Sequence, residues 1–255
     1  TYRKADANGE KTTTARIALR WTPNDWLDST LNYYVQKEDI EGRGMTHYNA
    51  LGEANPLKPL VGKYDSAYRY EEPNDIDNSL LSLEVTADLG FAELVSATGL
   101  ANTEEHGQRD QTDLLIRLDY GYEEFPAFSA FTREDEEEEI FTQELRLVSK
   151  GDSDWNWIVG AFYNKSDFEG YSREYTPGFD QYALTEWETG GNPRPDALEY
   201  ISVDDTTVTE QAIFGELGYQ MTEQLAFTVG ARFYDYDVKS RSAIDLPLYN
   251  SVFDG

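Results

Sequence analysis

The stretch TTARIALRWTPNDWLDSTLNYYVQK, residues 13–37, decides the fold. Side chains of an extended chain alternate between two sides, so Ala15, Ile17, Leu19 and Trp21 share one face and Thr14, Arg16, Ala18 and Arg20 the other. Thr22-Pro23-Asn24-Asp25 reads as a turn. Beyond it Leu27, Leu31, Tyr33 and Val35 oppose Asp28, Thr30, Asn32, Tyr34 and Gln36. One face is apolar in both segments and the other polar, which predicts a hairpin with matched faces.

The same construction returns along the chain. Leu81, Leu83, Val85, Ala87 and Leu89 oppose Ser82, Glu84, Thr86 and Asp88, and a tight turn at Gly90 leads into residues 91–101. Phe141, Leu145 and Leu147 oppose Thr142, Glu144 and Arg146, then 150–154 turn the chain into 155–168. Ile213, Leu217 and Tyr219 oppose Phe214 and Glu216, and after a turn at 220–223 Leu225, Phe227, Val229, Ala231 and Phe233 oppose Thr228, Arg232 and Tyr234. The alternation therefore predicts an all-β antiparallel protein of about eight strands in four hairpins, at approximately 13–37, 79–101, 140–168 and 208–239.

Within each hairpin the turn is short. Between hairpins the chain runs through long polar stretches, 38–75, 102–139 and 169–207. Loops of that length are uncommon in compact domains, whereas short turns at one rim and long loops at the other describe a transmembrane β-barrel of the outer-membrane type. The alternating segments also have about the ten residues that a tilted strand needs to cross hydrocarbon. Trp21 and Trp26 bracket the first short turn, Trp155 and Trp157 follow the third, and Tyr219 precedes the fourth, where interfacial aromatics are expected. That places the short turns at the periplasmic rim.

Composition agrees. Hydrophobic residues make up 39% of the chain, yet aromatics reach 14%, led by 18 Tyr and 12 Phe, which suits strands with one apolar and one wet face. Lys and Arg number 21 against 49 Asp and Glu, and a net charge of -28 repels nucleic acid. The absence of cysteine excludes a disulfide framework and a thiolate metal site. No run of about 18 apolar residues could form a transmembrane helix. No basic-then-apolar leader opens the chain, residues 1–11 read as the end of a loop and 240–255 as the start of one, so a piece of something larger is expected. Alternation also suits a soluble antiparallel sandwich with a buried face, for example a secreted carbohydrate-binding one, and a passive porin-type channel shares the same wall.

FTQELRL at 141–147, with the turn and WIVGAFY at 157–163, resembles the adjacent-strand signature of TonB-dependent receptor barrels. AIFGELGYQMTEQLAFTVGARFY at 212–234 is similar to that family's recurring hairpin, and ARIALRWTPNDWLDSTLNYY at 15–34 resembles it too. The likeness covers the strands and none of the long loops, and no plug domain, TonB-contacting segment or closing strand is recognised. It implies a plugged barrel of 22 strands in the bacterial outer membrane, among lipid and lipopolysaccharide. It also implies uptake of a scarce nutrient (an iron-siderophore, cobalamin or an oligosaccharide) with energy from the TonB complex through a plug, without enzyme activity or cofactor.

Under that resemblance the loop aromatics Tyr48, Tyr64, Tyr68, Tyr70, Tyr171, Tyr175, Phe179, Tyr182 and Trp187 are expected to contact substrate, although loops also need their own small cores. The polar residues Arg16, Arg20, Glu84, Glu144, Arg146, Glu216 and Arg232 are expected to face the lumen and plug, but a solvated exterior would hold them as well. The acidic run 134–139 offers carboxylates for divalent cations at the lipopolysaccharide level or for a cationic substrate complex, but reads first as a solvated loop, since like charges in sequence repel. Asp152-x-Asp154-x-Asn156 opens like a calcium loop, but Trp157 and Tyr163 occupy the positions of the required glycine and glutamate. His47 and His106 have no metal-ligand spacing around them. No nucleophile elbow, phosphate loop or dinucleotide fingerprint occurs.

Overall fold

The computed structural model describes residues 4–44, 65–118, 120–151 and 153–253. Eight strands form a single antiparallel sheet in strictly consecutive order: β1 Glu10–Asn24, β2 Leu27–Ile40, β3 Asn74–Asp88, β4 Ala92–Asp110, β5 Phe131–Ser149, β6 Trp155–Tyr175, β7 Leu198–Thr222 and β8 Leu225–Asp245. Short helices α1 Thr112–Arg117, α2 Phe179–Glu186 and α3 Pro247–Val252 lie in the connections at one rim. At the other rim the turns are brief, and Gly90 (φ 85°) and Gly151 (φ 114°) supply left-handed backbone that a side chain would strain.

The four hairpins occur where alternation predicts them, but the strands run well past those segments. Residues 102–110, 131–139, 169–175 and 198–207 are strand, not loop, and β8 continues through 240–245. The acidic run is thus the outer half of β5. Pairing with β4 and β6 forces its carboxylates to alternate sides, which separates neighbours in sequence. Some still face carboxylates across strands, as in Glu104 opposite Glu137 and Glu105 opposite Glu136. Such pairs destabilise a sheet, and here they stand among counter-charges: Arg109 pairs with Glu134, and Asp135 with both His106 and Arg173.

Among the described residues no second layer covers the sheet. Ile17 and Val229, both on the apolar face, are each 69% exposed. The buried hydrophobic cluster lies instead in the connections at the long-loop rim, around Leu115, Tyr122, Phe128, Phe179, Ala183, Leu248 and Val252. Leu19, Leu31 and Leu83, which a soluble sandwich would seal between layers, stand exposed.

Candidate functional site: a polar wall beneath an aromatic cap

Register and alternation sort the wall into two faces. Leu19, Leu31 and Leu83 are directly paired across β1 to β3, and Leu145, Ala161, Ile213 and Phe233 across β5 to β8. These rows, with Ile17, Val85, Leu100, Phe141 and Phe227, make a continuous apolar band, and such an area on a protein surface marks contact with lipid or a partner. At its short-turn edge Trp155 and Tyr219 are a register pair with stacked rings 4.4 Å apart, and Trp21, Trp26 and Trp157 stand at the same end of the sheet. One polar intrusion satisfies itself: Thr98 Oγ1 donates to Gln143 Oε1 at 2.6 Å, while Gln143 Nε2 donates to Ser96 Oγ at 3.1 Å and to the Glu144 carbonyl at 2.9 Å. An amide so occupied can face hydrocarbon at reduced penalty.

The opposite face carries Arg16, Arg20, Glu84, Glu144, Arg146, Glu216 and Arg232, all brought to one side by the register. Arg16 Nη2 donates to Asn32 Oδ1 at 2.7 Å, and Arg20 Nε to Asp28 Oδ2 at 3.0 Å. Arg146, Gly160, Phe214 and Arg232 form one cross-strand row. The Phe214 ring lies over Gly160, where any added methyl would collide with it. Its neighbour Arg232 stands 5.1 Å from the Phe162 ring centre and 5.8 Å from that of Phe214, and donates to Glu210 Oε1 at 2.8 Å. Cation–π contact and ion pair together fix that guanidinium on the polar face.

At the long-loop rim three connections converge into an aromatic cap. Tyr122 stacks on Phe128 at 4.7 Å, Phe125 on Tyr182 at 4.8 Å, and Phe179 meets Trp187 edge-on at 5.4 Å. Trp187 Nε1 donates to Glu124 Oε2 at 3.0 Å, and the Tyr182 hydroxyl to the Glu124 carbonyl at 2.9 Å. Gly121 (φ 87°) lets the Trp187 ring approach the backbone. Below, Asp110 closes the end of β4: its carboxylate accepts the amide protons of Arg69, Tyr70 and Thr112, and buried Glu72 accepts the Asp110 N–H at 3.0 Å.

Between cap and wall, beyond the apolar band, lies a half-buried group of carboxyls on the polar face. Arg109, Thr132 and Glu174 are paired in one row. Tyr122 donates to Glu199, and Thr176 Oγ1 donates to the second Glu199 oxygen at 2.8 Å. Burial, then the charge of Glu199, pushes Glu174 up to about 7, against the pull of Arg109. Burial likewise raises Glu199 and the Tyr122 phenol, and lowers Arg109. Arg109 Nε and Thr132 Oγ1 are buried without a hydrogen-bond partner among the described residues. No group of three or more acidic or histidine side chains among the described residues could hold a metal ion.

The sequence-predicted loop aromatics separate in three dimensions. Phe179, Tyr182 and Trp187 meet in the cap, with Phe179 only 2% exposed, so its ring serves the loop core. Tyr171 and Tyr175 belong to β6, not a loop, because the strand continues to Tyr175. The Tyr70 ring is tilted against that of Phe131 at 4.6 Å, and Tyr68 is partly buried near Glu72. Tyr48, Tyr64 and His47 lie outside the described residues. Sequence reasoning missed Tyr122, Phe125 and Phe128, whose spacing of three was a readable signal of a packed turn.

The solved structure of the ferric yersiniabactin uptake receptor FyuA from Yersinia pestis superposes on 92% of this chain with a TM-score of 0.60 at 11% identity, using 34% of its own length. The chain has the barrel-wall fold of TonB-dependent outer-membrane receptors. The ferric-catecholate import receptor Fiu of E. coli K12 matches 93% of the wall at TM-score 0.58 and 12% identity, over 35% of its length. The siderophore receptor PiuA of Acinetobacter baumannii matches 95% at TM-score 0.51 and 13% identity, over 41% of its length. The chain therefore spans between a third and about two-fifths of these proteins. No family model matches the sequence, and no curated protein matches it. The fold is that of bacterial outer-membrane barrels, which carry an outward apolar band and a polar interior, and the two faces of this wall divide in the same way.

Proposed function

We propose that this wall belongs to an uptake receptor that captures a scarce nutrient at the outer mouth and admits it with energy from the TonB complex. The observation that supports the reading best is the superposition of nine-tenths of the chain on the barrels of ferric-chelate receptors. An iron chelate is accordingly the first ligand class to test, ahead of cobalamin or an oligosaccharide. Tyr182 and Trp187, whose polar atoms tie the cap together, and Tyr68 and Tyr70 beside it are the proposed contacts. Trp187 and Tyr182 combine flat aromatic surface with hydrogen-bonding tips, which suits capture of a chelate that presents both apolar and polar edges. The lumenal residues Arg16, Arg20, Glu84, Glu144, Arg146, Glu216 and Arg232 hold a plug by charged hydrogen bonds across a wet interior.

The test is transport by cells carrying the full receptor under iron limitation. Uptake of labelled ferric chelates should fall to background when the receptor is deleted or the inner-membrane proton gradient is collapsed. Trp187→Ala should reduce it several-fold. Uptake that survives loss of the gradient would replace this reading with a passive channel, and unchanged uptake of iron chelates, cobalamin and oligosaccharides in the deletion strain would remove it. Alanine at Arg20, Arg146 and Arg232 together should release the plug to proteolysis; a plug as resistant as before would end the lumenal assignment.

A further inference from the structure

On the outward face, beyond the apolar band, Arg133 of β5 and Arg173 of β6 stand directly opposite each other. Like charges so placed destabilise a sheet, and the neighbouring counter-charge is too small to neutralise both. Arg173 Nη1 donates to Asp135 Oδ2 at 2.6 Å, but Asp135 also holds His106 Nδ1 at 2.9 Å. Arg133 has no carboxylate partner among the described residues. Its guanidinium lies instead 5.7 Å from the Phe131 ring centre and 6.0 Å from that of Tyr175, while Arg173 lies 5.0 Å from Tyr171. Phe131 and Tyr175 stack at 5.0 Å. Beside them a cavity of about 190 Å³ is lined by Pro73, His106, Gly107, Gln108, Arg133 and Asp135. In a chain of net charge -28, an outward pair of guanidinium groups backed by a tray of aromatic rings is a local reversal of sign.

Arg133 lies on β5 well beyond Phe141, the last apolar residue of the band on that strand and face. A separation of about eight residues, at about 3.4 Å each and a tilt of about 40°, sets the patch roughly 20 Å above the hydrocarbon edge. The intervening outward row carries Asp77, Glu104, Glu137, Glu169 and Asp205 between Lys37 and Arg241 at its ends, so its centre is acidic and would repel a polyanion diffusing freely. For an anion anchored in the adjoining leaflet the same repulsion is offset, because anchoring keeps its effective concentration high.

We propose that this patch binds the phosphorylated core sugars of lipopolysaccharide, with Arg133 and Arg173 gripping a phosphate and Phe131, Tyr171 and Tyr175 packing against sugar faces. Planar guanidinium groups match phosphate oxygens in paired hydrogen bonds, and aromatic rings match the C–H faces of sugars. The inference rests on the outer-membrane reading of the wall. It is tested on the full receptor purified in detergent and titrated with two lipopolysaccharides, one with a phosphorylated core and one from a strain that leaves the core unphosphorylated but keeps its lipid A phosphates. The wild type should bind the first at least tenfold tighter, and R133A/R173A should lose that preference, whereas Lys239→Ala on the same outward face should bind both lipids as the wild type does. Equal binding of the two lipids by the wild type, or an unchanged preference in the double variant, overturns the assignment. Heat-modifiable gel mobility reports separately on the barrel: a variant that keeps it has lost a binding site and not its fold, and a wild type that never shows it and needs no detergent removes the membrane reading itself.

Discussion

The aromatic cap and the band below it dispose of apolar surface by different means. In the cap, Phe179, Tyr122 and Phe128 press against one another out of water, as in any globular core. In the band, Phe233 is 72% exposed and meets no second layer among the described residues. The cap is built for water on its outside, the band for lipid, and a single strand such as β5 passes from one regime to the other. Between them the same backbone pairing continues with both faces wet, so strand structure there is held by the ladder and not by a buried side.

The largest expected effect separates the two regimes by one kind of truncation. Phe179→Ala should cost the cap about 3–5 kcal/mol and open 176–197 to protease while the barrel stays heat-modifiable; Phe233→Ala should leave the cleavage pattern unchanged. Resistance of the Phe179 variant would show that the cap is not a cooperative unit. Next comes charge on one face of one strand. Leu145→Arg, inside the band, should cost about 2–4 kcal/mol in vesicle unfolding by denaturant, against roughly 0.5 kcal/mol or less for Glu137→Arg above it. Equal costs would take the band out of hydrocarbon.

Between cap and wall, pH should act through Glu174, whose carboxyl is pushed up to about 7. A raised acid favours the protonated folded form, so its full stabilising share is present below the ordinary carboxylate range and is lost as pH rises through about 7. Protection of the amides around Tyr122 and Thr176, relative to their intrinsic base-catalysed exchange, should therefore fall from pH 5 to pH 8, and Glu174→Gln should flatten that fall; a fall unchanged by the substitution would assign the effect elsewhere. The smallest effect belongs to the interfacial pair. A double-mutant cycle of Trp155→Ala and Tyr219→Ala should return a coupling of about 0.5–1.5 kcal/mol, and zero coupling would mean that the stacked rings act independently at the rim.

Strands were legible in the sequence wherever their two sides meet different solvents. Leu145 beside Glu144 announces β5, and Leu83 beside Glu84 announces β3. Above the band that contrast vanishes: Glu136 shares the face of Arg146 and Glu137 that of Leu145, and no periodicity in polarity distinguishes them, so 134–139 read as loop. That Arg16, Arg20, Glu84, Glu144, Arg146, Glu216 and Arg232 share one face was readable because alternation by two is all it requires. The Arg109–Thr132–Glu174 row and the meeting of Tyr122 with Glu199 were not, because each depends on the register of strands whose outer halves give no signal.

Each strand of the wall hydrogen-bonds only to its neighbours in sequence, and four of the seven joins are turns of a few residues. Partners so close along the chain meet with little search, so the sheet can lengthen by one hairpin at a time. Every addition covers the previous edge and exposes a fresh one, which would give an assembly catalyst in the membrane a single growing seam to guide.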